Sequence, residues 1–204
     1  MKRVVLALLL ASCGGGESIT APSTPTLSME PAAWTFRYSL GMGEHPVAAL
    51  NGGWQFDFPM QDGVHYLTTP MTADLRGKEI QVTAHVVGID PVFAWPADAC
   101  GSPARARVMA QRQGDDLRSA SGRWWSDRPI TLQVGATTII APVSPERWSN
   151  VDGKVGTADP QGFDDAMAHP GFVGLTFGGG CFFGHGVWLQ SGAARMLVRD
   201  FSIQ

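Results

Sequence analysis

Trp54-Gln55-Phe56-Asp57-Phe58 sets an aromatic residue at every second position with a polar one between. Successive side chains of an extended strand point to opposite faces, so this stretch reads as a strand with one face in a core. The same period of two returns in Ile80, Val82, Ala84 and Val86, separated by Gln81, Thr83 and His85. It returns again in Ala104, Ala106, Val108 and Ala110, separated by Arg105, Arg107 and Met109 and followed by Gln111. Further strand runs lie at 34–40, 64–69, 130–134, 137–141, 172–177 and 194–203. Asn51-Gly52-Gly53, Asp62-Gly63, Arg76-Gly77, Gly114-Asp115 and Val134-Gly135 supply turn chemistry between runs. Only residues 162–169 show helical spacing, through Phe163, Ala166 and Met167, with Asp164 and Asp165 expected in the first turn. About nine strands without a βαβ rhythm predict an all-β, antiparallel two-sheet sandwich with one short helix, a jelly roll being the favoured form.

The strands do not begin until after residue 30. Lys2 and Arg3 precede an apolar run over residues 4–10, which is far short of the ~20 residues that span a bilayer. A basic start and a short apolar run fit a secretory signal peptide. The run closes on Leu10-Ala11-Ser12-Cys13, which resembles the lipobox of bacterial lipoproteins at all four positions. That resemblance implies cleavage before Cys13 and lipid on its sulfur and amine, hence a stable membrane anchor. It also implies the outer membrane in a diderm bacterium, because Gly14 rather than Asp follows the cysteine. Residues 14–29 are rich in Gly, Ser, Thr and Pro and lack periodicity, as a flexible linker does. The expected organisation is therefore a signal peptide over 1–12, a lipidated cysteine and linker over 13–30, and a sandwich domain over 31–204.

Composition narrows the function. A hydrophobic content of 44% argues against disorder, and a net charge of −3 argues against a general nucleic-acid binder. Cys100 and Cys181 remain after Cys13. In an exported chain they read as a disulfide, contributing roughly 4–5 kcal/mol, with two separate buried thiols as the alternative. No CxxC, HExxH or GxSxG occurs, and the histidines are scattered. The glycine-rich run 178–186 fails as a nucleotide loop, since Phe183 stands where GxGxxG needs glycine and no GK[ST] follows. It reads instead as a bulge and turn that lets Cys181 reach its partner, with His185 as a structural histidine. No catalytic residues are assigned. A glycosidase needs two facing carboxylates, and the spacing of Asp57, Asp74, Glu79 and Glu146 singles out no pair.

Seven tryptophans favour binding. Trp124 and Trp125 are adjacent, so in a strand one of them faces away from the core. Trp148 lies in the long connection 142–171, either stacking on a sugar ring or plugging one end of the sandwich. Gln55, Asp57, Gln81, His85, Arg105, Arg107 and Gln111 fall on outward strand positions. If their strands neighbour one another, they form a polar strip beside an exposed indole; otherwise they are an ordinary solvated face with the indole covered by a loop.

The stretch Trp54–Pro59, the strand rhythm after it and the closing Met196-Leu197-Val198-Arg199-Asp200-Phe201-Ser202-Ile203 resemble galactose-binding-like jelly rolls, an architecture shared by many carbohydrate-binding modules. The resemblance implies a glycan ligand and a structural calcium held by a carboxylate on the last strand, here Asp200 with Glu30. The expected function is a membrane-anchored, non-catalytic binder of glycan or another extracellular polymer. The alternatives are a structural or protein-interaction lipoprotein, and a carbohydrate-active hydrolase.

Overall fold

The structure, a computed structural model, describes residues 27–39, 41, 47–96, 103–181 and 183–204. Among the described residues, eleven strands form two antiparallel sheets. The six-stranded sheet contains β1 (Thr35–Arg37), β4 (Tyr66–Pro70), β10 (Pro170–Gly178), β6 (Arg105–Arg112), β7 (Arg123–Thr131) and β9 (Trp148–Asn150), in that spatial order. The five-stranded sheet contains β2 (Ala48–Leu50), β3 (Gly53–Asp57), β11 (Trp188–Ile203), β5 (Glu79–Ala94) and β8 (Gly135–Pro142). The chain crosses repeatedly from one sheet to the other, so the fold is the jelly-roll sandwich that the period of two predicts.

Each alternating run delivers its apolar set to the space between the sheets. Ile80, Val82, Ala84 and Val86 are at most 2% exposed, and Ala104, Ala106, Val108 and Ala110 face them from the other sheet with equal burial. Trp34 stacks against Trp54 and Phe201 with ring centroids 4.8 and 4.9 Å away. Phe56, Phe58 and Phe177 form a second ring cluster beside it. Burying one such side chain contributes about 1.5–3 kcal/mol, so the aromatic-polar rhythm of β3 alone strongly fixes which face turns inward.

Several boundaries differ from the sequence reading, for local reasons. β5 continues through Gly88, Asp90 and Pro91 to Ala94, and β11 starts six residues before Ala194, at Trp188. Proline is tolerated there because pairing with β8 ends at Val86↔Gly135, leaving one edge of β5 unpaired beyond it. The run 130–134 is no separate strand. β7 ends at Thr131, and the chain then turns into β8 through Gly135, whose φ is +137°. The connection 142–171 holds β9, a 3-10 turn and the helix α1 (Pro160–Ala168). Because α1 starts at Pro160, capped by the Asp159 carboxylate on the Gly162 amide, Asp164 and Asp165 lie beyond its first turn. They pair instead with Arg76 and Arg112. No helix among the described residues is long and apolar enough to cross a membrane. The proposed signal peptide, Cys13, most of the linker and Cys100 lie outside the described residues.

Candidate ligand-binding face

The middle of the six-stranded sheet is buried on both faces, and the outer one gathers the unusual chemistry. Alternation turns Arg105, Arg107, Met109 and Gln111 of β6 away from the main core. The register sets Tyr66, Thr176 and Arg107 in one row across β4, β10 and β6. The next row runs Thr68, Gly174, Met109, Trp125 and Ser149 across five strands. Tyr66, Met109 and Trp125 form a hydrophobic cluster separate from the main core, with Val151 and Phe183 packed against it.

Phe183 comes from the glycine-rich loop between β10 and β11. Its ring lies 5.8 Å from that of Trp125, and the Arg107 guanidinium sits 4.0 Å from its centroid. Two glycines make this close seat possible. A Cβ on Gly184 would meet the Tyr66 hydroxyl at 2.2 Å, and one on Gly186 would meet the His65 ring at 2.5 Å. Both also have positive φ, +75° and +93°, which only glycine adopts without strain. Cys181, two residues before Phe183, is not a free thiol.

The electrostatics of this face follow from its burial. Arg107 donates to the Ser126 carbonyl at 2.8 Å, and its pKa is depressed to about 10, first by burial and then by neighbouring Arg105. Among the described residues neither Arg105 nor Arg107 forms an ion pair; the nearby Asp127 is engaged by Arg147 and Arg128. Burial raises the Tyr66 phenol, an effect that Arg123 partly offsets. His65 is lowered, first by burial and then by repulsion from His185. At the far end, the fully buried Asp115 carboxylate lies 3.4 Å from Arg123 Nε and accepts from Gln111 at 3.0 Å. Among the described residues, eight buried side-chain polar atoms have no hydrogen-bond partner. Thr68 Oγ1, Thr176 Oγ1, Arg105 Nε, Arg107 Nε, Trp125 Nε1, Asp115 Oδ1 and Arg123 Nε all belong to this face; Trp54 Nε1 belongs to the core. Native proteins pair nearly all such atoms, so their concentration on one face marks it out.

The expected site is thereby divided. Arg105 and Arg107 stand on this face, whereas Gln55, Asp57 and His85 stand on the outer face of the five-stranded sheet, where β3 and β5 flank β11. A single strip is excluded because β6 belongs to the other sheet. Gln55 donates to the Ala49 carbonyl, and Asp57 is held by Arg195 through two hydrogen bonds of 2.6 and 2.8 Å. The expectation of an exposed indole also fails. Trp125 does turn away from the main core, but Phe183 and its loop cover it, and it is 1% exposed. Trp124 packs inward against Phe163 and donates to the Ser121 carbonyl. Trp148 is fully buried and donates to the Pro142 carbonyl, so it fills the sandwich rather than meeting solvent.

The calcium expectation finds no donor set. Asp200 accepts from Gln81 and Ser202, Glu30 stands at a 3-10 turn, and no cluster of three or more His, Cys, Asp or Glu occurs among the described residues. Asp57 and Asp74 carry lowered pKa values because Arg195 and Arg76 hydrogen-bond them, the opposite of what a glycosidase acid requires. Sequence reasoning missed Tyr66, Thr68, Thr176 and Phe183, which become neighbours only through strand register and loop placement. Phe183 alone left a trace, as one of two adjacent phenylalanines inside a glycine run.

A concavity of about 380 Å³ lies on the five-stranded sheet near the Asp57–Arg195 pair. Its lining is apolar, including Met60, Val87, Ile89 and Leu189.

No known family's sequence profile and no curated protein sequence matches the chain. Among solved structures it is similar to a Xylanase10C mutant (E385A) from Cellvibrio japonicus in complex with xylopentaose. The identity is 12% and the TM-score 0.44, over 88% of this chain and 28% of that one. It is also similar to the xylan-binding module CBM15, at 12% identity and a TM-score of 0.44, over 86% of this chain and 96% of the module. The chain thus spans under a third of the xylanase.

Proposed function

We propose that this chain is an exported lipoprotein whose sandwich domain binds a glycan, without catalysis, on the outer face of the six-stranded sheet. The observation that carries the reading is the pair of partly exposed guanidinium groups of Arg105 and Arg107, without ion-pair partners among the described residues, beside the partly exposed Phe183 ring at the margin of that face. A polyhydroxylated ligand presents hydroxyl acceptors to guanidinium N–H donors and an apolar C–H face to an aromatic ring. Phe183 supplies an aromatic wall beside them. The lipobox-like Leu10-Ala11-Ser12-Cys13 supports a lipid anchor, and export supports a Cys100–Cys181 disulfide.

A polysaccharide panel with the full chain in detergent tests the ligand. Binding to at least one glycan, weakened at least tenfold by Phe183→Ala and unchanged by Ile89→Ser on the opposite face, is the expected result. Absence of binding across the panel sinks the reading. Loss of radiolabelled palmitate in Cys13→Ser tests the anchor.

A second reading rests on one observation. Ile89 is 75% and Met60 54% exposed beside the apolar concavity of the five-stranded sheet, as a protein-docking surface would be. That reading predicts that Ile89→Ser, rather than Phe183→Ala, abolishes function.

A further inference from the structure

We infer that the glycan bound at this face is acidic, and that Arg105 and Arg107 hold its carboxylate. The inference rests on the proposed binding face and names the ligand class that the face would select.

Among the described residues neither positive charge here is held in an ion pair. Most arginines among the described residues are tied to a carboxylate: Arg76, Arg112, Arg118, Arg123, Arg128, Arg147 and Arg195 all have ion-pair partners within 4 Å. Arg105 and Arg107 have none, although the chain as a whole carries more acid than base; of the others without one, Arg199 bonds the Asn51 carbonyl and Arg37 lies over the Phe172 ring. They stand two residues apart on one strand, so their side chains project from the same face. Both Nε atoms are buried and unpartnered, while the side chains as wholes remain partly exposed. Arg107 is fixed by its bond to Ser126 and by the Phe183 ring, and it lies in register with the unpartnered Thr176 hydroxyl. A planar carboxylate matches the guanidinium fork and accepts several N–H donors at once. A neutral sugar satisfies the hydrogen bonds but leaves two neighbouring cations facing each other.

The test compares polygalacturonate, alginate and hyaluronan, each beside its carboxyl-reduced form, with dextran sulfate beside dextran, using the full chain in detergent. The expected result is at least tenfold tighter binding to one carboxylated polymer than to its reduced form. That ratio falls to about one in Arg105→Gln/Arg107→Gln and persists in Arg105→Lys/Arg107→Lys. Thermal melts of both variants establish that they fold, and Arg195→Gln on the opposite face leaves the ratio unchanged. Equal binding of acidic and reduced forms overturns the inference while the glycan reading stands. A preference that survives the double glutamine variant, or one confined to dextran sulfate, also overturns it. If no polymer binds, charged or neutral, the glycan reading itself falls.

Discussion

Asp115→Asn puts the buried electrostatics of the outer face to a direct test. The Asp115 side chain is fully buried and that of Arg123 only 11% exposed, with 3.4 Å between their nearest charged atoms. Arg123 also donates to the Leu117 carbonyl at 2.9 Å, so it cannot swing out to water without losing that bond. Removing one charge of a buried pair strands the other, at a cost of about 3–5 kcal/mol. Asparagine keeps the shape and an acceptor for Gln111, which places the expected loss near the lower end, about 3 kcal/mol. With a urea slope of about 1–3 kcal/mol/M, the unfolding midpoint should fall by at least about 1 M. The assay is equilibrium urea unfolding followed by circular dichroism, at low and high salt. Salt should not change the difference, because screening acts mainly on charges in contact with solvent. Asp115→Leu/Arg123→Met removes both charges together and should recover most of the loss, since an apolar replacement of a buried pair is often neutral. A loss under about 1 kcal/mol in Asp115→Asn, or a double variant less stable than the single one, would refute the reasoning.

Two further outcomes follow from the loop and its neighbours. Gly184→Ala combines a left-handed backbone cost of about 1–2 kcal/mol with a Cβ placed 2.2 Å from the Tyr66 hydroxyl, whereas Gly52→Ala at a similar φ meets nothing within 4 Å. Urea unfolding should therefore show a clearly larger loss for Gly184→Ala, and equal losses would mean that the loop does not seat on Tyr66. His65 has a folded pKa below its ordinary value of 6.5, so the unfolded chain binds the extra proton. Its stability contribution is complete above about 6.5 and declines as pH falls through that value toward the folded pKa. The melting temperature should drop from pH 7 to pH 5, and the drop should shrink in His65→Gln; an unchanged slope in that variant contradicts the assignment.

The fold was legible because a sandwich core writes itself into sequence at a period of two. Trp54, Phe56 and Phe58, and the runs from Ile80 and Ala104, each turned inward as their alternation requires. Boundaries were legible only where turn chemistry agreed with pattern. β5 runs past Gly88 and Pro91 because it stays paired with β11 on one edge, while among the described residues its other edge has no partner there, a fact of sheet order that local sequence does not carry. The site was half legible for the same reason. Alternation marked Arg105, Arg107 and one of the two adjacent tryptophans as outward, but nothing local revealed that Gln55, Asp57 and His85 belong to the opposite sheet. Nor did it reveal that a loop some sixty residues downstream, carrying Phe183, covers Trp125.

A two-sheet sandwich needs to bury only one face of each sheet. The five-stranded sheet behaves that way, with His85 and Asp57 exposed on its outer side. The six-stranded sheet does not, since Tyr66, Met109 and Trp125 on its outer side are at most 7% exposed. Covering that face with apolar side chains alone would have cost little. Instead the cover leaves polar atoms unpaired beneath it, each worth about 1–3 kcal/mol of lost stability. Native chains keep such groups mainly where something other than the fold uses them. Among the described residues, five such atoms outside the Asp115–Arg123 pair lie on this face, against one in the main core. The loop that covers it is seated through Gly184 and Gly186, residues whose missing side chains serve that contact and no part of the main core. Arg105 and Arg107 remain partly open at its margin, so the unpaired groups adjoin two guanidinium groups that reach solvent without an ion-pair partner among the described residues.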